Sequence, residues 1–172
     1  MIWNIATGAE KSRITATMQS NASIVFSPDG SLIAGGTSDY QVHLWRVADS
    51  SEVAVLSGHT GYVYDLAFSP DGALLASASY DSTIRLWDAA SSSEVRRLTD
   101  CNGSLVNFTF SPDSTLLAVA ASEGLCVFNV ATGELGAFFA SNDWLNGAVF
   151  SPDQTIIATA GKDYTARVYG LP

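Results

Sequence analysis

Basic residues are scarce in this chain, with 8 Lys and Arg against 17 Asp and Glu and a formal net charge of −9. Phosphate backbones and anionic membrane surfaces attract cationic patches, so neither nucleic acid nor a membrane is expected as a partner. An acidic surface is compatible with protein or cationic partners, and equally with plain solubility. Cysteine is also scarce. Cys101 and Cys126 make neither a disulfide framework nor a zinc site, because there is no CxxC pair and the two histidines, His43 and His59, stand apart. No metal or cofactor is therefore expected. The chain has no basic start followed by an apolar run, so no secretory signal is read. No uninterrupted apolar stretch approaches bilayer length, and the expected compartment is cytoplasmic.

Proline is rare too, and its placement is informative. Four of the five prolines lie in one recurring pattern: Phe26-Ser27-Pro28-Asp29-Gly30, Phe68 to Gly72, Phe110-Ser111-Pro112-Asp113-Ser114 and Phe150-Ser151-Pro152-Asp153-Gln154. The phenylalanines are 42, 42 and 40 residues apart. A fixed period of this size is the signature of a repeat architecture. In Ser-Pro-Asp-Gly, proline pre-sets φ for the second position of a type I turn, aspartate suits the third, and glycine tolerates the positive φ that follows.

The runs between turns are short and rich in Val, Ile, Leu, Ala and aromatics, which reads as strands. In the clearest period they cover Tyr62 to Phe68, Ala73 to Ser79, Thr83 to Trp87 and Glu94 to Leu98. Each period is thus expected to be a four-stranded antiparallel meander. Both strand faces carry apolar groups, as in a sheet covered on both sides, and the second strand of each unit is rich in small residues (Ala76 to Ser79, Ala118 to Ala121). Such sheets stacked face to face around an axis make a propeller. The expected division is 1–20 as the end of a blade, with Met1 to Ile5 and Ser12 to Met18 as strands. Blades follow at 21–57, 58–99 and 100–139, and a partial blade at 140–172. The count of strands exceeds what four blades need. The expected state is therefore an incomplete or open ring, part of a larger propeller or completed by a second copy through exposed apolar faces.

The stretch from Gly58-His59 through Phe68-Ser69-Pro70-Asp71-Gly72 to Trp87-Asp88 resembles the WD-repeat family of β-propellers, and the resemblance covers nearly the whole chain. In that family a His, a Ser, an Asp and a Trp form a structural hydrogen-bond network, which implies His59, Ser77, Asp81 and Trp87 here. The other periods depart from the pattern. They carry Ala16-Thr17, Asp100-Cys101 and Ala140-Ser141 in place of Gly-His, and Phe128 and Tyr169 in place of tryptophan. The trio of Ser, His and Asp also invites a catalytic reading. Nothing in the sequence suggests an oxyanion site or an open cleft, so no catalytic residue is assigned.

The resemblance implies a non-enzymatic scaffold that presents one face to peptide or protein partners. That face is built from the loop before the first strand, the start of that strand, and the turn between the second and third strands. It maps to Tyr62, Tyr64 and Tyr80 in the clearest blade, and to Trp144, Asn146 and Lys162 in the last. Ser20, Ala22, Ser38, Ser104, Val106 and Ser122 are weaker members. Tyrosine and tryptophan suit an interface because they bury area at small entropic cost, although Tyr64 and Trp144 are as readily packed between blades. The alternatives are a regulatory or sensor module of a larger multidomain protein and, lastly, a propeller hydrolase.

Overall fold

The computed structural model describes residues 1–18 and 23–171. Ser20 and Ala22 lie outside them. Seventeen strands and no helix are described, so no described helix is long and apolar enough to cross a membrane. The strands are β1 (Ile2–Trp3), β2 (Glu10–Ser12), β3 (Ile24–Phe26), β4 (Leu32–Gly36), β5 (Val42–Arg46) and β6 (Glu52–Leu56). Then follow β7 (Val63–Phe68), β8 (Leu74–Ser79), β9 (Ile84–Asp88), β10 (Glu94–Leu98), β11 (Leu105–Phe110), β12 (Leu116–Ala121), β13 (Gly124–Asn129) and β14 (Leu135–Ala140). The last three are β15 (Leu145–Phe150), β16 (Ile156–Gly161) and β17 (Ala166–Gly170). Pairing is strictly sequential and antiparallel. It gives four-stranded sheets β3–β6, β7–β10 and β11–β14, a three-stranded sheet β15–β17, and the β1–β2 ribbon. These are propeller blades.

The Ser-Pro-Asp turns explain the repeat physically. In each, the fourth residue donates its N–H to the serine carbonyl at 2.8–2.9 Å. That residue has positive φ whether it is glycine (Gly30, Gly72) or not (Ser114, Gln154). The serine hydroxyl donates to the aspartate Oδ1 at 2.6 Å in all four turns. The serine Oγ in turn accepts the backbone N–H of the next strand at 2.9–3.2 Å.

The core lies between sheets rather than inside one. Ala34, Val42 and Leu44 pack against Val63, Leu66 and Leu75. Ala76, Ile84 and Leu86 pack against Phe108, Leu117 and Phe128. Ala118, Ala120 and Leu125 pack against Leu145, Phe150 and Ile157. Strand β12 therefore serves two cores with alternate residues, Leu117 and Val119 on one side and Ala118 and Ala120 on the other. The period-2 alternation of a strand requires this when both faces are covered.

Three readings are corrected. Ser12 to Met18 does not form a full outer strand. Asn4 and Gly8 close a tight turn (Gly8 N–H to Asn4 O, 2.8 Å), so β2 pairs with the two-residue β1 and its ladder ends at Ser12. Met18 makes one isolated bridge, to Thr37. Met1 to Ile5 is likewise shorter, reduced to Ile2–Trp3. The cysteines are not independent: Cys101 and Cys126 are joined in a disulfide with a Cα–Cα distance of 5.8 Å. The two-residue turn Ser122-Glu123, closed by the Ala121–Gly124 pair, brings Cys126 under the loop that carries Cys101. Gly124 is required there, since a Cβ would stand 2.3 Å from the Phe139 carbonyl oxygen.

Candidate functional site

At the end opposite the Ser-Pro-Asp turns, in the β7–β10, β11–β14 and β15–β17 sheets, the loop before the first strand crosses the turn between the second and third. In the β7–β10 sheet His59 reaches from that loop into the strands. Its Nδ1 lies 2.9 Å from Asp81 Oδ2 and its Nε2 2.7 Å from Ser77 Oγ, while the Trp87 indole N–H donates to Ser77 Oγ at 2.8 Å. The chemistry of the partners fixes the protons. A carboxylate only accepts, so Nδ1–H donates to Asp81, and Nε2 accepts the one proton Ser77 has to give. Burial holds the His59 pKa below its usual range, against the opposing pull of Asp81. Burial also pushes the Asp81 carboxyl upward. The Thr83 hydroxyl, the Thr60 N–H and His59 outweigh this and bring it to about 2. Ser77 is fully buried and its hydroxyl is engaged on both sides, so this trio has no face open to a substrate.

The same two positions fasten the loop in the neighbouring sheets by different chemistry. His59, Cys101 and Ser141 are separated by 42 and 40 residues, the offsets of the repeat itself. On the third strand, Arg85, Cys126 and Arg167 are equivalent because they pair with Ser77, Val119 and Thr159. In the last sheet Arg167 Nη1 donates to Ser141 Oγ at 2.8 Å and Nη2 pairs with Asp163. In the β11–β14 sheet the disulfide joins the two positions directly. In the β7–β10 sheet Arg85 pairs with Glu94 and lies against Gly58, where a Cβ would stand 2.5 Å from its Nη1. Thr159, at the place of Ser77, is buried and its hydroxyl has no partner among the described residues.

The expected partner-binding residues stand on this same edge. Tyr80 N–H donates to Tyr62 O, Ser122 N–H to Ser104 O and Lys162 N–H to Trp144 O, at 3.0, 2.9 and 2.8 Å. One bond thus sets the edge in three sheets. Tyr80 is 61% exposed, Tyr62 38% and Trp144 41%. Asn146 and Lys162 are exposed, and Lys162 Nζ sits 4.0 Å from the centre of the Trp144 ring. Ser38 is exposed and Ser104 is too, while Val106 and Ser122 are half-buried. Tyr64 differs. It is half-buried against the core between the second and third sheets, its hydroxyl donates to Leu105 O at 2.9 Å, and burial drives its pKa well up. Its ring stacks on Tyr80 at 4.9 Å, so it supports the edge more than it offers a surface. Trp144 and Lys162 form a pair on the last sheet.

Two aromatics were missed. Tyr40 meets Tyr62 edge-on at 4.8 Å, and Tyr164 is fully exposed. Both follow the turn aspartate, Asp39 or Asp163, and both have positive φ (69° and 62°). The Asp-Tyr dipeptides at 39–40 and 163–164 were the available signal. Nearer the start of the first strands, Ser23, Asp65 and Asn107 recur at the 42-residue spacing. Asn107 Nδ2–H donates to Asp65 Oδ2 at 3.3 Å, and burial raises the Asp65 pKa despite donors from Leu66, Phe108 and Ser23.

With this geometry in hand, the family described as WD domain, G-beta repeat matches residues 13–46, 50–88 and 133–170, well over half of the chain. The unmatched stretch between them contains Cys101 and Cys126, in the sheet that has lost all four network residues. A 47-residue segment is 45% identical to a protein named "Probable serine/threonine-protein kinase PkwA" from Thermomonospora curvata. That alignment covers 27% of this chain and only 6% of the kinase.

Proposed function

The chain belongs to the WD40 repeat family, and from that premise we propose that it is a non-enzymatic scaffold binding peptide or protein partners along the edge described above. The observation that carries the proposal is the set of exposed rings there, Tyr40, Tyr62, Tyr80, Trp144 and Tyr164. Two of them are held outward on positive φ, which a bulky residue adopts at a cost. Rings of this kind anchor interfaces, each worth about 2 kcal/mol when it is a hot spot. Peptides selected from a random library against the intact chain test this. Combining Tyr62→Ala, Tyr80→Ala and Trp144→Ala is expected to weaken them at least a hundredfold with the fold unchanged. Selected peptides that bind the triple variant as well as the wild type would overturn the proposal. Self-association is part of the same reading, supported by exposed apolar side chains on the two outermost sheets, Ile24 and Phe26 on one and Val149 and Val168 on the other.

The similarity to a kinase supports a second reading, in which these repeats are the regulatory module of a larger protein. The sequence of the full reading frame on either side of this chain separates the two.

A further inference from the structure

We infer that Cys101–Cys126 is a reversible thiol–disulfide strap, the covalent counterpart of the hydrogen-bonded fastenings in the adjacent sheets, and that the order of the loop Asp100–Ser104 follows its redox state. The inference does not rest on the partner-binding proposal. It starts from equivalence: Cys101 occupies the place of His59 and Ser141, and Cys126 that of Arg85 and Arg167. In those sheets polar side chains tie the loop to the strands. Here Val119 and Phe128 stand where Ser77 and Trp87 would be, and neither side chain forms a hydrogen bond. Among the described residues, Asp100 to Gly103 make no hydrogen bond to the sheet. The first such tie is Ser104, whose N–H donates to Ser122 Oγ at 2.9 Å. The disulfide is what holds the preceding loop.

The two sulfurs differ in access, and this makes the strap openable. Cys126 is fully buried in the core between the second and third sheets, whereas Cys101 is half-buried on the loop. A dithiol attacks as its thiolate at Cys101 Sγ. The Cys101–Cys126 bond breaks, a mixed disulfide forms on Cys101, and Cys126 leaves as a thiolate that takes up a proton. The second thiol of the reductant then displaces Cys101, leaving two protein thiols and one oxidised, cyclic reductant. Strand β13 stays in place because its register is held by the β12 and β14 ladders, not by the sulfur. A free Cys126 thiol fills its core position as a small hydrophobe. Only the loop is released.

Amide hydrogen exchange on the intact chain tests this, oxidised and then incubated with dithiothreitol, with maleimide mass labelling in denaturant, after removal of the reductant, to count thiols, since Cys126 is fully buried in the folded chain. The oxidised chain is expected to take no label and the reduced chain two. Reduction is expected to speed exchange at least tenfold at the Ser104 and Ser122 amides, the hydrogen-bonded ties at the end of the loop, leave the loop around His59 and the β12–β13 ladder unchanged, and be reversed by reoxidation. Cys101→Ser should match the reduced wild type and ignore dithiothreitol. Three results would overturn the inference: two labelled thiols in protein purified without reductant, equal loop exchange in both redox states, or exchange rising throughout β11–β14.

Discussion

Ser77 and Thr159 occupy the same place in two sheets and should respond to hydroxyl removal with opposite signs. Ser77 Oγ accepts the Trp87 indole N–H and donates to His59 Nε2, and all three groups are buried. Ser77→Ala strands two buried polar groups, each costing about 1–3 kcal/mol. The expected destabilisation is therefore about 2–6 kcal/mol. With a urea m-value of about 1–3 kcal/mol/M, this is a midpoint shift on the order of 1–2 M. Thr159 is also buried, yet its Oγ1 has no partner among the described residues. Thr159→Val removes a hydroxyl that was already desolvated and keeps the shape, so it should be neutral or stabilising by up to about 1 kcal/mol. Urea titrations followed by tryptophan fluorescence, with m unchanged, make the comparison. A Ser77→Ala shift below about 0.5 kcal/mol, or a Thr159→Val loss equal to that of Ser77→Ala, would refute the reasoning.

Other outcomes follow from the same geometry. The folded His59 pKa lies below the unfolded value of 6.5, so the unfolded chain binds the extra proton and stability falls as pH drops below 6.5. His59→Gln should flatten that limb of a midpoint-against-pH plot. Asp81, at about 2 folded against 3.8, contributes stability that is present above pH 3.8 and lost on descending toward 2. Asp81→Asn should remove that second limb. Tyr164 is exposed at φ 62°, so Tyr164→Gly should stabilise by about 0.5–1 kcal/mol, backbone strain relief exceeding the entropic cost of glycine. The same change should weaken selected peptides. Asp65 has a raised pKa from burial, so Asp65→Asn should be more stable than wild type at pH 7, with the gain vanishing as pH falls to 3.8 and below. Thermal midpoints at the two pH values decide it.

The sheets were legible because their signals are local. A Ser-Pro-Asp turn specifies its own bonds within five residues, and the small second strands announce coverage on both faces before any neighbour is known. His59, Ser77, Asp81 and Trp87 were readable for a different reason, a family resemblance whose full set of four residues occurs in one period. What could not be read depends on cross-strand register. Nothing near Cys101 in sequence reveals that Cys126 lies beneath it, because the deciding fact is the two-residue turn at Ser122-Glu123 and the resulting opposition of Cys126 to Val119. Arg167 is equally silent until its pairing with Thr159 puts it beside Ser141. For Tyr64, read as equally ready to face a partner or to pack between blades, the deciding contact is a carbonyl 41 residues away.

The two ends of each sheet thus obey different constraints. At one end, four turns repeat the same serine–aspartate bond at 2.6 Å and the same strand N–H to serine bond. A change at that end removes several backbone partners at once. At the other end, three sheets fasten equivalent positions by an imidazole network, a disulfide and a guanidinium clamp. Chemistry so varied at one geometric place means that the place needs a tie but not a particular one. The edge is therefore free to vary without unfolding the sheet, and it is there that Tyr40, Tyr62, Tyr80, Trp144 and Tyr164 are exposed. A binding surface built on this end inherits its rigidity from whichever tie lies beneath it, so loosening one fastening should loosen one sheet's contribution and leave the others intact.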